Sequence, residues 1–311
     1  MNNSISCARM ISMIMIFLCH ILQYYNNWFA WWLNVGVYSF IAISGLLYGE
    51  KEINDSASFL ARRMKKILIP YWLYLPFAFS SIWLISGSLD IKNSVGMFFL
   101  TSTVTGLNHL WYMRYVMICY IITPLLCEFK KYVNNHLYSK MLSWIILCAT
   151  LQIICSMGFP SFRMSVINTY IASFALSGIL IQRQSKYGRL ISLFLICLSL
   201  FFNVLKIVCI CRHYTFPGYH LFSDYCHMTL GLAILDFCLV LFRNVKYNCL
   251  LNFSDKHSYS IYICHHLLIL GPLSLMSLTQ YAALNITLIL IITLISAMIL
   301  TQYSNWIIKH L

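Results

Sequence analysis

An arginine and a histidine, Arg9 and His20, stand eleven positions apart in an apolar opening segment that holds no other ionisable side chain except cysteine. In a helix, at ~100° per residue, eleven steps return to within roughly 20° of the same face, and a rise of ~1.5 Å per residue sets the two ~16 Å apart along the axis. The guanidinium suits a phosphate, and a neutral imidazole can take a proton from an attacking hydroxyl and give it back near neutral pH. A ligand with an anionic end, a long arm and a reactive end would match the stripe. The plain alternatives stay open: a histidine that hydrogen-bonds a neighbouring helix, and an arginine that snorkels to the headgroups.

Arg62, Arg63, Lys65 and Lys66 stand just before Ile67-Leu68-Ile69-Pro70-Tyr71. Such a cluster binds nucleotide phosphates, or anchors the chain at an anionic lipid surface. Further on, His109, Trp111 and Arg114 combine an aromatic face with basic donors, as sugar pockets do; an interfacial aromatic belt has the same residues. His265 lies ~10 Å inside its expected helix, either lining the donor path or bonding a neighbouring helix. Asp236 is the most deeply placed acid, a partner for a histidine or for Lys206. His213, His220, His227 and His266 show no ligand spacing supported by acids or cysteines, so no metal is expected. Glycine-rich phosphate loops are absent, which speaks against an ATP-driven machine.

The elements that must carry these residues follow from composition. With 60% apolar and 9% charged residues, the 311-residue chain fits lipid and not water as its solvent. Spans are expected near Ile5–Tyr24, Trp28–Leu47, Ile67–Ile85, Leu110–Leu126, Met141–Met157, Asn168–Gln182, Leu190–Ile210, Tyr225–Phe242, Ser258–Leu278 and Ala283–Ile308. This predicts an all-α integral membrane protein of about ten transmembrane helices, with residues 1–311 as one membrane domain.

Loops after the even-numbered spans hold most Lys and Arg, including Lys51, Arg62, Arg63, Lys130, Lys131, Lys140, Arg183, Lys186, Arg189, Arg243 and Lys246. The opposite loops hold only Lys92, Arg163 and Arg212. Both termini are therefore expected in the cytosol. The formal charge of +13 is divided among these loops, so it indicates orientation, not nucleic-acid binding. Gly87–Asn108 reads as an outer loop or re-entrant segment. The thirteen cysteines form no CxxC pair and read as small apolar side chains.

Five motifs now resemble one family. Arg9 and His20, ten residues between them, match an opening Arg/His pair. Gly36–Leu47, with Ser44-Gly45-Leu46-Leu47 at its end, is similar to a glycine-rich second helix. Arg62-Arg63-Met64-Lys65-Lys66, leading to Pro70-Tyr71, resembles a basic pair, a later basic residue and Pro-Tyr. His109-Leu110-Trp111-Tyr112 and Ser258-Tyr259-Ser260-Ile261-Tyr262-Ile263-Cys264-His265 complete the set. In this order over nearly the whole chain, they resemble membrane acyltransferase family 3, which includes bacterial O-antigen and common-antigen O-acetyltransferases.

The resemblance implies an acyl donor, usually acetyl-CoA as a co-substrate and no permanently bound cofactor. It implies a carbohydrate hydroxyl as acceptor, with the protein in the bacterial inner membrane acting on lipopolysaccharide O-antigen or a similar, lipid-linked or finished, glycan. His20 would be the general base, and Arg9, Arg63 and Lys66 would hold the coenzyme phosphates; His109, Trp111, Arg114 and His265 stand beside these, on the reading of the residues themselves, as acceptor or pocket candidates. Ser6 and Met10 depart from the family's acid and glycine, and Lys66 replaces its arginine. No appended soluble domain is expected. Direct transfer and an acyl-enzyme both fit. The rival reading from another class is a transporter or flippase for an anionic lipid-linked sugar.

Overall fold

The computed structural model describes residues 3–133, 137–159, 161–181 and 186–311, and of residues 137, 138, 186 and 187 it describes the backbone alone. Among the described residues every regular element is helical: α1 (Asn3–Tyr24), α2 (Phe29–Leu33), α3 (Val35–Gly49), α4 (Ser56–Ser86), α5 (Ile91–Phe98), a 3-10 turn (Asn108–Leu110) running into α6 (Trp111–Tyr132), α7 (Leu137–Gly158), α8 (Met164–Ala175), α9 (Ser177–Ile181), α10 (Lys186–Cys211), α11 (Tyr219–Leu241), α12 (Cys249–Ile269) and α13 (Ala282–His310). Among the described residues eight spans are long and apolar enough to cross a membrane: Asn3–Tyr24, Phe29–Gly49, Ser56–Ser86, Asn108–Tyr132, Ser139–Gly158, Gly188–Cys211, Tyr219–Leu241 and Ala282–His310. The protein is a multi-pass, all-helical membrane protein.

Two expected spans take another form. The sixth, Asn168–Gln182, is α8 followed by α9, with a break at Leu176. Twelve residues give α8 ~18 Å, short of the ~30 Å hydrocarbon layer. Its Ser165, Asn168, Thr169 and Ser173 are buried in protein, and Ser165 pairs with Tyr38 and Asn168 donates to Tyr225, partners that lipid would deny them. Gln182 and Arg183 lie outside the described residues.

The ninth, Ser258–Leu278, is displaced: α12 starts at Cys249, where the Asn248 side chain accepts from the Leu251 amide, and ends at Ile269. Gly271-Pro272 explains the early stop, because proline offers no amide to continue the ladder. The third span also begins earlier than expected. Asp55 caps α4 by accepting from the Ser58 amide at 3.1 Å, so Arg62, Arg63, Lys65 and Lys66 stand on helix and not in a loop. Bonds from the Ser58 hydroxyl and amide hold the exposed Asp55 carboxyl below its ordinary pKa. The segment after α4, expected as loop, contains α5, which Asp90 caps in the same way.

The chain forms two compact units. The first comprises residues 1–12, 34–54 and 121–247. In it α3 packs on α8 and α11, and α10 on α11. Gly45 of α3 lies against Ser173 and the Tyr170 carbonyl, a distance no Cβ would allow. Small residues of this kind replace the missing hydrophobic drive between helices in lipid by close backbone contact. Hydroxyl pairs add to it: Tyr38 with Ser165 at 3.2 Å and Thr123 with Tyr170 at 2.6 Å.

The second unit comprises residues 13–33, 55–120 and 248–311. There α12 packs on α13 and α4. The Ser260 and Thr301 hydroxyls pair at 2.7 Å, and Tyr259 donates to the Ile67 carbonyl at 2.7 Å. That carbonyl lies three residues before Pro70, in the stretch where proline leaves part of the α4 ladder unmade. Tyr71 and Trp72 of α4 donate to the Met97 and Phe98 carbonyls at the end of α5, at 2.7 and 3.1 Å.

Candidate active site

The second unit gathers four imidazoles. His20 comes from the last turns of α1, His109 from the 3-10 turn, and His265 and His266 from the last turns of α12. The His20 ring centroid lies 5.1 Å from that of His265, 4.6 Å from His266 and 6.3 Å from His109. His109 lies 5.3 Å from His265 and stacks on His266 at 4.4 Å, with 12° between the planes. His109, His265 and His266 are buried, whereas His20 is half-buried.

Each ring is fixed through one nitrogen. His266 Nδ1 faces the Gly106 carbonyl at 2.8 Å, His265 Nδ1 faces the Tyr262 carbonyl at 2.8 Å, and His109 Nε2 faces the Ile263 carbonyl at 3.1 Å. His20 Nδ1 faces Gln23 Oε1 at 2.6 Å. Carbonyl oxygens only accept, so each of these nitrogens carries its ring's proton, and the other nitrogen of each neutral ring holds a lone pair. His20 therefore presents Nε2 as an acceptor, the state a general base requires.

The backbone around the cluster is specialised. Gly106 has φ +88°, and a Cβ there would stand 2.7 Å from Pro272 Cδ. Glycine is what lets the chain approach Pro272 while its carbonyl meets His266. Tyr262 packs on the His109 ring at 5.4 Å and its hydroxyl donates to the His109 carbonyl. Phe17, one turn before His20, packs on His265 at 6.0 Å.

Of the residues expected from sequence, the structure brings His20, His109 and His265 together. Trp111 stands two residues beyond His109, at the start of α6, against Tyr112 and Tyr115. Arg114 is used locally: its Nε donates to the Leu100 carbonyl at 2.5 Å, steadying a residue held at φ +60°. Arg63 and Lys66 lie three residues apart on α4, hence on one face, with Arg63 over the Phe59 ring at 5.8 Å. Arg9, on the first turns of α1, belongs to the first unit. So do Asp236, which accepts from Ser192 at 3.3 Å, and Lys206, which donates to Ser223 at 3.0 Å.

His266 and Gly106 escaped the sequence reading. In the sequence His266 shows no metal-ligand spacing, although its place beside His265 puts both near the end of one helix. Among the described residues no three His, Cys, Asp or Glu side chains are arranged to hold a metal ion.

The acyltransferase 3 family model, described as an acyltransferase domain, matches residues 2–302. The chain belongs to that family and is a membrane acyltransferase. It matches no curated protein and no solved structure.

Proposed function

We propose that the protein transfers an acetyl group from acetyl-CoA to a hydroxyl of a cell-surface polysaccharide, or of its lipid-linked precursor, in a bacterial inner membrane. The observation that carries this reading is the half-buried His20, its Nδ1–H held by Gln23 so that Nε2 is free to take a proton. The attacking oxygen gives its proton to His20 Nε2 as it bonds to the thioester carbonyl carbon. Collapse of the tetrahedral adduct breaks the carbon–sulfur bond, and the thiolate recovers the proton from His20. Arg63 and Lys66 are assigned to the coenzyme phosphates on their shared helix face.

Labelled acetyl-CoA supplied to membrane vesicles tests this directly. Label should enter a base-labile glycan fraction with the wild-type protein and not with His20→Ala. Uptake of glycan with no acetyl incorporation would replace the reading with transport.

A further inference from the structure

Between α7 and α10 the first unit holds a groove of ≈570 Å³. The inner helices α8 and α11 pack on each other and on α3 and form its floor, with α7 and α10 as its walls. It opens sideways from the bundle, since Ile145 and Phe194 on the two walls are more than half exposed. Ala172 and Ala175 on the floor leave the space that larger side chains would fill. Of the described residues that line it, Lys140 alone is charged.

The two ends differ. Lys140, Trp144, Cys148 and Gln152 follow one another turn by turn along α7, ~18 Å from the first to the last. At the Gln152 end the polar groups meet each other. The Tyr225 hydroxyl donates to Gln152 Oε1 at 2.9 Å and accepts from Asn168 Nδ2 at 2.6 Å, and Gln152 Nε2 donates to Ser156 at 2.8 Å. At the other end stands the half-buried Lys140, at the start of α7.

A length of ~18 Å is close to half of a ~30 Å hydrocarbon layer, so the groove takes one tail from one leaflet and is too short for a chain that crosses. Left empty, such a gap forfeits the dispersion contacts of its lining. Filling it is unselective in itself, because a tail gains no hydrophobic free energy in leaving lipid for an apolar groove. Preference must come from the head, and an ammonium at headgroup level selects net negative charge.

We propose that the groove is a binding site for an anionic phospholipid, with one acyl tail along α7 ending at Gln152 and the phosphate on Lys140. The leaflet is the one on the Lys140 side, assigned as cytosolic by the distribution of Lys and Arg.

The basic stretch Arg62–Lys66 also attracts anionic lipid, so the test reads the groove itself. Phosphatidylglycerol brominated in its acyl chains is titrated into phosphatidylcholine nanodiscs that hold the protein, and the quenching of Trp144 is taken as the difference between wild type and Trp144→Phe. Brominated phosphatidylcholine is the control. Half-quenching is expected at about fivefold less phosphatidylglycerol than phosphatidylcholine, the worth of one lysine beside an anionic head. Lys140→Gln should erase that difference and Lys140→Arg should keep it. Ala172→Phe, which fills the groove from its floor, should weaken quenching by both lipids. Equal quenching by the two lipids in the wild type overturns the proposal, and so does an unchanged preference in Lys140→Gln, whether or not Ala172→Phe folds. A polyprenyl phosphate that restores Trp144 fluorescence at concentrations where unbrominated phosphatidylglycerol does not would overturn the assignment to a phospholipid.

Discussion

Gly106→Ala should be strongly damaging to the second unit, and its cost divides into two parts. Placing an L side chain at φ +88° costs ~1–2 kcal/mol, and forcing the new Cβ against Pro272 Cδ at 2.7 Å and Gly271 Cα at 3.2 Å adds ~1–3 kcal/mol. The total, roughly 2–5 kcal/mol, is a large share of the stability of an ordinary domain. Two other glycines separate the parts. Gly87 has φ +69° with nothing within 4 Å of a built Cβ, so Gly87→Ala should show the strain alone. Gly158 has neither strain nor neighbour, and Gly158→Ala should be neutral or slightly stabilising. Unfolding midpoints in mixed micelles, followed by tryptophan fluorescence, should rank Gly106→Ala below Gly87→Ala and Gly87→Ala below Gly158→Ala. Acyl transfer should drop in Gly106→Ala even under conditions where it stays folded, because the carbonyl that fixes His266 has moved. Equal midpoints for the Gly106 and Gly87 variants would refute the claim that the approach to Pro272 demands glycine.

Gln23→Leu removes the acceptor that fixes the His20 tautomer and should lower kcat about two- to tenfold, the worth of one hydrogen bond, with little change in KM for acetyl-CoA; wild-type kcat would show that Gln23 does not orient the base. Arg63→Ala with Lys66→Ala should raise KM for acetyl-CoA while sparing kcat, an effect that weakens as salt is added; initial rates at two ionic strengths check it. Tyr259→Phe should destabilise by about 0.5–1.5 kcal/mol through the lost bond to Ile67, seen as a lower unfolding midpoint. The Asp55 cap titrates with a depressed pKa, so its contribution is complete above the ordinary carboxylate value and is lost as pH falls through the lower folded value. Hydrogen exchange at the Ser58 amide should therefore accelerate only below about pH 4; acceleration already at pH 6 would contradict the assignment.

Hydropathy made the membrane class and most spans legible, because lipid demands long helices whose backbone groups are satisfied internally. It misplaces the sixth span because α8 buries polar residues in protein, which a hydropathy window cannot tell from lipid, and the ninth because the Asn248 cap and the Gly271-Pro272 stop set the bounds of α12. The start of α4 is hidden by its basic residues, since charge stands on loops and on helix ends alike, although Asp55 with Ser58 is a legible cap. His20, His109 and His265 stood out as ionisable residues in apolar surroundings, and the structure joins them. His266 did not, since adjacency in sequence says nothing about which ring a distant turn will meet. Gly106 could be read only once Pro272, far along the chain, was placed beside it.

Glycan acetylation through His20 is put to the test by mass spectrometry of the surface polysaccharide from cells carrying the wild-type protein, no protein, or His20→Ala shown to be inserted in the membrane. A base-labile acetyl increment is expected with the wild type alone. An increment of the same size with His20→Ala would remove His20 from the chemistry. No increment in any cell, with the protein well inserted, would contradict glycan acetylation itself.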